Sequence, residues 1–415
     1  MPNRNQTLLA WLSHLGGWAI FTFALQVLFI PLIVAVPLAG GISYALVQSH
    51  GAAGHMALAF STLIAFGIFE IGARLSVSPP ERYSRPHEKF SSEDFPYYIP
   101  NSQVDEFDIP YGDLFSLSDH SIPTIIEPRR VRFLTDGLGF RNQSDYEGHS
   151  FVLFGDSFGL GTGGTQGDTI PELLERDHGI PTYNASWPSG PADYVDTHRY
   201  LSERVGTNFR SIFLIFEGND LSCKDEKLHF DVFRRWYGYV VKPVRNLHTF
   251  RTISRLLRRA TNHLGITKTG KVSVWPIGGK DVGFYDPYVI ATTRPSGDGC
   301  DWEEEFVGFP EIRENLSLLV FAPTKYRVYQ PLLPGRAQAP LPNARALFVE
   351  ELAERLGVPF LDLTPTLTRH SRQLLGEGRY TYWRDDTHWS PTGMDLVAQE
   401  IAGALPALQP LQADR

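Results

Sequence analysis

Two hydrophobic patterns divide the chain. Residues 18–47, WAIFTFALQVLFIPLIVAVPLAGGISYALV, run for 30 positions without a charge. A hydrocarbon core about 30 Å thick is crossed by about 20 such residues as helix, so this stretch predicts a membrane span. Pro31 and Pro37 kink a helix, which membranes tolerate better than water does. A second apolar run, 56–75, predicts a second span, with Glu70 and Arg74 one turn apart and able to pair at the interface. The first run is too long for the apolar part of a signal peptide and lacks its basic start and small-residue cleavage site. Residues 1–75 therefore read as a membrane anchor in contact with lipid.

From Phe151 the rhythm changes. FVLFG, IPTYNAS, SIFLIFEGND, NLSLLVFAPT and VPFLDLTP read as strands. TIPELLERDHG, PADYVDTHRYLSERV, NARALFVEELAERLG and SPTGMDLVAQEIAGAL, interleaved with them, read as helices. Apolar runs without alternation are buried on both faces, and helices between them make parallel crossovers. The predicted fold is α/β: a three-layer α/β/α sandwich on a mainly parallel sheet, preceded by the transmembrane helices. Residues 76–130 are rich in Pro, Ser, Asp and Tyr without a sustained period and predict an irregular connector over the surface. The domain at 131–415 carries an insert at about 224–315. Within it, KPVRNLHTFRTISRLLRRATNHL is a basic amphipathic helix that either lies on anionic lipid or stands exposed, solvated by its arginines.

Charge and cysteines narrow the classes. A formal charge of −8 over 415 residues argues against a nucleic-acid binder. Cys223 and Cys300 fit no metal or redox spacing, so no metal and no cofactor is expected; the pair forms either one disulfide in an oxidising compartment or two free thiols. Arg4 before the first run, and Arg74, Arg82, Arg85 and Lys89 after the second, put both ends in the cytoplasm by the positive-inside rule. One residue carries the N-terminal side of that count, so the side faced by the domain stays open.

The first strand runs into FGDSFGLGTGG, where Gly159, Gly161 and Gly164 spell a dinucleotide-type G-x-G-x-x-G. That fingerprint needs its first glycine at the strand end and an acidic residue after the next strand. Here Asp156 and Ser157 intervene, and the next strand ends in YNAS. A nucleophile reading fits better. A serine attacking an ester needs a base, an orienting carboxylate and donors for the oxyanion, gathered at the carboxyl ends of parallel strands. Ser157, Gly190 in NASWPSG and Asn219 in FEGND follow three successive strands, and His388 lies in DDTHW before the last helix. Asp156 fixes the turn by hydrogen bonds. His178, His198, His229, His248 and His370 have no such context and read as surface residues.

At these residues the chain resembles the SGNH, or GDSL, esterase and acyltransferase superfamily. GDS at 155–157, Gly190, GND at 218–220 and DDTH at 385–388 match its four blocks in order. The resemblance implies Ser157 as nucleophile and His388 as base. It further implies an oxyanion hole made by the backbone N–H groups of Ser157 and Gly190 with the Asn219 amide. The orienting carboxylate has two candidates: Asp385, at the usual D-x-x-H spacing, and Asp386, at the D-x-H spacing of relatives that acetylate alginate. The DTHW string, FAPTKYRVYQPLL at 321–333 and the lead-in TDGLGFRN at 135–142 also resemble that polysaccharide-acetylating branch. In the alginate proteins the D-x-H segment precedes the serine, whereas here it follows, so the chain is not simply one of them.

The resemblance implies transfer of an acetyl or similar acyl group to or from a glycan or polysaccharide, without a cofactor. A membrane-bound acyl donor is the matching partner. Transfer and hydrolysis use the same residues and differ in whether water is kept from the acyl-enzyme. Trp187, Trp383 and Trp389 either stack on sugar rings or belong to the core. The competing reading is a non-catalytic carbohydrate-binding or assembly protein on the same fold.

Overall fold

A computed structural model describes residues 97–109, 111–118, 125–223, 272–295, 300, 302–335 and 340–405. They belong to one compact unit, Tyr83–Leu228 with Thr269–Arg415. Both predicted membrane spans and the basic helix of the insert lie outside the described residues. Among the described residues, no helix is long and apolar enough to cross a membrane.

In chain order the strands are β1 (Gln103–Ile109), β2 (Arg129–Leu134), β3 (Phe151–Gly155), β4 (Thr182–Asn184), β5 (Arg210–Phe216), β6 (Val272–Ile277), β7 (Lys280–Tyr285), β8 (Leu316–Ala322) and β9 (Phe360–Asp362). The helices are α1 (Asp113–Leu117), α2 (Ile170–His178), α3 (Pro191–Val205), α4 (Asp286–Thr293), α5 (Lys325–Tyr329), α6 (Ala344–Leu356), α7 (Thr364–Leu375) and α8 (Pro391–Ala404).

The central sheet has the order β4-β3-β5-β8-β9, every pair parallel. The second strand of the sheet lies on one side of the first and the third on the other, so the crossovers reverse direction between β3 and β5. Side chains alternate between two cores. Phe151, Leu153, Ile212, Leu214, Leu318 and Val320 face one layer, while Val152, Phe154, Phe213, Ile215, Leu319 and Phe321 face the other. Helices α2 and α8 cover the first face, α3 and α6 the second. Continuous apolar strands follow from this double burial. The crevice at a reversal of strand order, beyond the carboxyl ends of the strands, is where open α/β sheets hold their ligands.

Two expectations are corrected, and the insert shows an element not foreseen. The 76–130 connector is not featureless: β1 and β2 pair as an antiparallel ribbon with a register irregularity, and α1 packs inward. Within the insert, β6 and β7 form an antiparallel hairpin whose Ile277, Val282 and Phe284 join the first core. His198 is buried rather than at the surface, because α3 presses its ring among Phe154, Phe209 and Phe213. His178 is exposed, and His229 and His248 lie outside the described residues. The two cysteines form a disulfide, Cys223–Cys300, that ties the residue before the insert to a point 77 positions on, within it.

Candidate active site

Ser157 stands on a tight turn directly after β3, and the turn is held from three sides. Asp156 Oδ1 accepts from the Phe158 N–H at 2.8 Å, and the Asp156 carbonyl accepts from Leu160 N–H at 2.9 Å. Beneath the turn lies Arg141, which donates to the carbonyls of Leu160 (3.1 Å), Gly161 (2.8 Å) and Gly164 (2.9 Å). Gly161 adopts φ +78°, which side chains rarely take, and so brings its carbonyl onto that guanidinium. The carbonyls of the glycine turn therefore point at a buried cation. A phosphate cradle needs the opposite polarity, with N–H groups converging on the ligand. The TDGLGFRN lead-in also secures the next strand: Asn142 Oδ1 accepts from Asn184 N–H at 2.8 Å, and Asn184 Nδ2 reaches the Gly159 carbonyl at 3.3 Å.

His388 sits on the 383–388 loop, closed by a bridge between Tyr382 and Trp389 and by a Trp383 N–H bond to the His388 carbonyl at 3.2 Å. Its Nε2 is 2.7 Å from Ser157 Oγ, and its Nδ1 is 2.7 Å from Asp386 Oδ1. The two aspartates divide. Asp386 also accepts from the His388 N–H (3.1 Å), from the Asp113 N–H (3.1 Å) and from Arg129 (3.3 Å). Asp385 turns to the connector, accepting from the Gly112 and Glu127 N–H groups at 2.8 Å each and from Arg129 at 3.0 Å. A Cβ on Gly112 would lie 2.1 Å from the Asp385 carbonyl oxygen, so only glycine allows this approach.

Electrostatics separate the two carboxyls further. Burial works to raise Asp386, but the hydrogen bond and charge of His388 and the Arg129 guanidinium outweigh it and hold Asp386 below the ordinary carboxylate range. Burial dominates at Asp385 and raises it, with Arg129 opposing. Lys325 steadies the loop from below, its Nζ donating to the carbonyls of Trp383 (2.7 Å), Arg384 (3.1 Å) and Asp386 (3.1 Å). Three acceptors match the three protons of an ammonium. Burial pulls that group down to about 7, against the pull of Asp385, Asp386, Glu127 and Asp113.

The oxyanion candidates lie on loops after β4 and β5. Asn219 is exposed and its amide donates to Asp156 Oδ2 at 3.1 Å, tying it to the Ser157 turn. Its loop is anchored by Glu217, buried at the end of β5 and paired with Arg327 through bonds of 2.9 Å from Nε. Gly190 caps α3, and its N–H makes a long 3.4 Å contact with Asp193 Oδ2. A Cβ there would meet nothing within 4 Å. Of the tryptophans, Trp389 is wholly buried against Phe158, which leaves it the core role of the two readings and not the sugar-stacking one. Trp383 is half-buried with the Arg129 guanidinium 4.0 Å from its ring centre, and half-buried Trp187 packs edge-on to Tyr97.

Asp113, Asp386 and His388 bring carboxylate and imidazole atoms within 4.8 Å of one another, the one set among the described residues spaced to hold a cation. Those atoms are already engaged in hydrogen bonds to His388 and Thr387, an arrangement suited to a proton. Sequence reasoning misses Asp113, Arg129, Arg141, Lys325 and the Glu217–Arg327 pair. The FAPTKYRVYQPLL and TDGLGFRN segments are the signals that hold three of them.

Residues 313–415 match the SGNH hydrolase-like domain of the acetyltransferase AlgX. Over these residues, about a quarter of the chain, the protein is similar to that SGNH hydrolase-like domain. The matched segment holds β8, α5, the Lys325 and Arg327 clamps and the His388 loop of the SGNH-like domain. No curated protein matches the chain. A solved crystal structure is similar at 16% identity over 62% of this chain and 96% of its own, with a TM-score of 0.28, too low to bear on the fold.

Proposed function

We propose that the SGNH-like domain is a serine-dependent O-acyl transfer enzyme, an acetyltransferase or acetylesterase acting on a polysaccharide or other glycan. The observation that carries this reading is the run of two 2.7 Å contacts from Ser157 Oγ through the His388 ring to Asp386. Ser157 Oγ attacks the acyl carbonyl while His388 Nε2 takes its proton, and Asp386 holds the imidazolium that forms. The tetrahedral oxyanion is received by the Ser157 and Gly190 N–H groups and by the Asn219 amide. His388 returns the proton to the departing alcohol, leaving Ser157 acylated. A sugar hydroxyl or a water then takes the acyl group by the same steps reversed.

In this reading residues 18–47 and 56–75 tether the domain to the cell membrane, beside a membrane-bound acyl donor. The Cys223–Cys300 bond supports an oxidising compartment for the domain. The test is incubation of the full chain with an activated acetyl ester. Burst release and an acetyl group on Ser157 by mass spectrometry are expected, both lost in Ser157→Ala. Equal release by wild type and Ser157→Ala, with no adduct, would instead favour a glycan-binding role. Adding plain or acetylated polysaccharide to the acyl-enzyme separates transfer from deacylation.

A further inference from the structure

The described part of the insert runs along the rim of the site. Gly283 of β7 donates its N–H to the Arg384 carbonyl at 2.9 Å, which bonds the hairpin to the loop that carries His388. Two residues on, β7 ends at Tyr285 and α4 begins. Tyr288, in the first turn of α4, meets the other catalytic loop. Its ring packs edge-on to Phe216 with centres 5.2 Å apart, and a Cβ on Gly218 would come 2.8 Å from Tyr288 Cδ1. Gly218 is the residue before Asn219. Residues 283–288 therefore reach from the loop of the base to the loop of the oxyanion amide. The Tyr285 and Tyr288 rings stand edge to face, 4.9 Å between centres, and both are half-buried. They share a small cavity with Thr387, the residue before His388. Burial and the charge of Asp113 raise the pKa of the Tyr285 phenol, which keeps it a neutral donor.

We propose that Tyr285 and Tyr288 form a subsite for a pyranose ring of the glycan, an aromatic wall that orients the sugar beside the reacting groups. The inference rests on the reading of the domain as a glycan O-acyl transfer enzyme and names the residues that recognise the sugar. A pyranose presents apolar C–H faces together with hydroxyls. A tyrosine answers both, the ring by contact and the phenol by hydrogen bonding. Two such rings set edge to face make a corner, so a sugar lying against one turns its hydroxyls toward the other. The cavity between the tyrosines and Thr387, about 10 Å³, admits no more than a water, so the sugar meets the outer parts of the rings. A sugar held there lies between the loop that supplies the base and the loop that supplies an oxyanion donor. The wall comes from the insert and not from the four shared blocks, so it gives this chain its own choice of glycan.

The test uses the full chain and three acetyl esters: an acetylated cello-oligosaccharide, which is neutral, an acetylated mannuronate oligosaccharide, which is anionic, and p-nitrophenyl acetate, which has no sugar. Tyr285→Leu and Tyr288→Leu remove a ring, whereas Tyr285→Phe and Tyr288→Phe keep it. Each leucine variant is expected to raise KM for the accepted oligosaccharide about tenfold with kcat little changed, and to lose far less on p-nitrophenyl acetate. The phenylalanine variants should recover most of the affinity. Whichever oligosaccharide is accepted tells whether the pyranose is neutral or a uronate. Tyrosines that merely support the oxyanion loop predict equal losses of kcat on sugar and non-sugar esters, and that result would overturn the proposal. Should Tyr288→Leu fail to fold for want of its contact with Phe216, Tyr285→Leu carries the test alone. Calorimetry on Ser157→Ala with the same oligosaccharides measures binding without chemistry. Binding of neither one, or binding that ignores an added Tyr285→Leu, would also overturn the proposal. Binding that responds to Tyr285→Leu in a protein whose wild type forms no acetyl adduct on Ser157 would sink the enzymatic reading and leave the sugar subsite standing.

Discussion

The guanidinium of Arg141 lies wholly buried under the turn that presents Ser157, 2.8 Å from the Gly161 carbonyl. Burial brings its pKa down to about 10, so it stays charged at neutral pH while serving the turn's carbonyls. Arg141→Met keeps most of the volume but strands those acceptors in a dry interior. The expected cost is about 3 kcal/mol or more, since several buried carbonyls each lose a charge-assisted bond. Urea unfolding of Arg141→Met beside the wild type measures it. An unchanged midpoint would mean that the turn is held by Asp156 alone.

Asp385 and Asp386 are neighbours with opposite duties, and their asparagine variants should part company. Asp386→Asn removes the carboxylate on His388 Nδ1 and is expected to lower kcat by roughly three to four orders of magnitude per folded molecule. Asp385→Asn instead breaks the buried pair with Arg129, 3.0 Å apart. Breaking such a pair costs about 3 kcal/mol of stability, with a far smaller loss of turnover per folded molecule. Melting temperature and ester turnover, measured together on both variants, check the division. Equal kcat losses would show that the D-x-x-H carboxylate also acts on the ring.

How much of this was legible in the chain depends on how local each signal is. Helix α3 begins at Pro191 and ends at Val205, as PADYVDTHRYLSERV predicts, because its start signal and periodicity lie within the segment. The loops bearing Ser157, Asn219 and His388 each follow a recognisable apolar strand or precede a capped helix. Asp113 is different: its partner Thr387 lies 274 positions away, and nothing around PYGDLF announces the meeting. Lys325 and Arg141 are single cations whose meaning comes from carbonyls on other elements. Trp389 and His198 are amphipathic residue types, and tertiary packing alone decides that both go inside. Helix α7, TPTLTRHSRQLL, escapes the pattern because only Leu367 and Ser371 form its buried stripe beyond the first turn.

The Cys223–Cys300 bridge closes a loop of 77 positions, and Cys223 follows Asp220 of the GND block by three residues. Loop-closure entropy alone assigns such a bridge about 4.5 kcal/mol. Arg345 links this corner to α4, donating to the Leu221 carbonyl at 3.0 Å and to the Ala291 carbonyl. Reduction is expected to lower the melting temperature and to depress ester turnover through the Asn219 loop. Cys223→Ser with Cys300→Ser should reproduce both effects and abolish the response to reductant. A wild type whose melting temperature ignores reductant would remove the bridge from the account of stability.

His198 supplies the pH dependence. Burial, with a smaller push from Arg199, brings its imidazole down from 6.5 to about 4, and Nε2 has no hydrogen-bond partner among the described residues. The ring is neutral in the folded protein, packed on Phe154, Phe209 and Phe213. Between pH 6.5 and about 4 the unfolded chain binds a proton that the folded chain refuses, so stability rises with pH through that window and is lost on acidification. The full span is worth about 3 kcal/mol. His198→Phe keeps a ring in the same aromatic packing and removes the proton. Its urea midpoint should therefore fall less than the wild type's between pH 6.5 and 4. Parallel pH curves for the two proteins would mean that the imidazole takes up its proton without leaving the core.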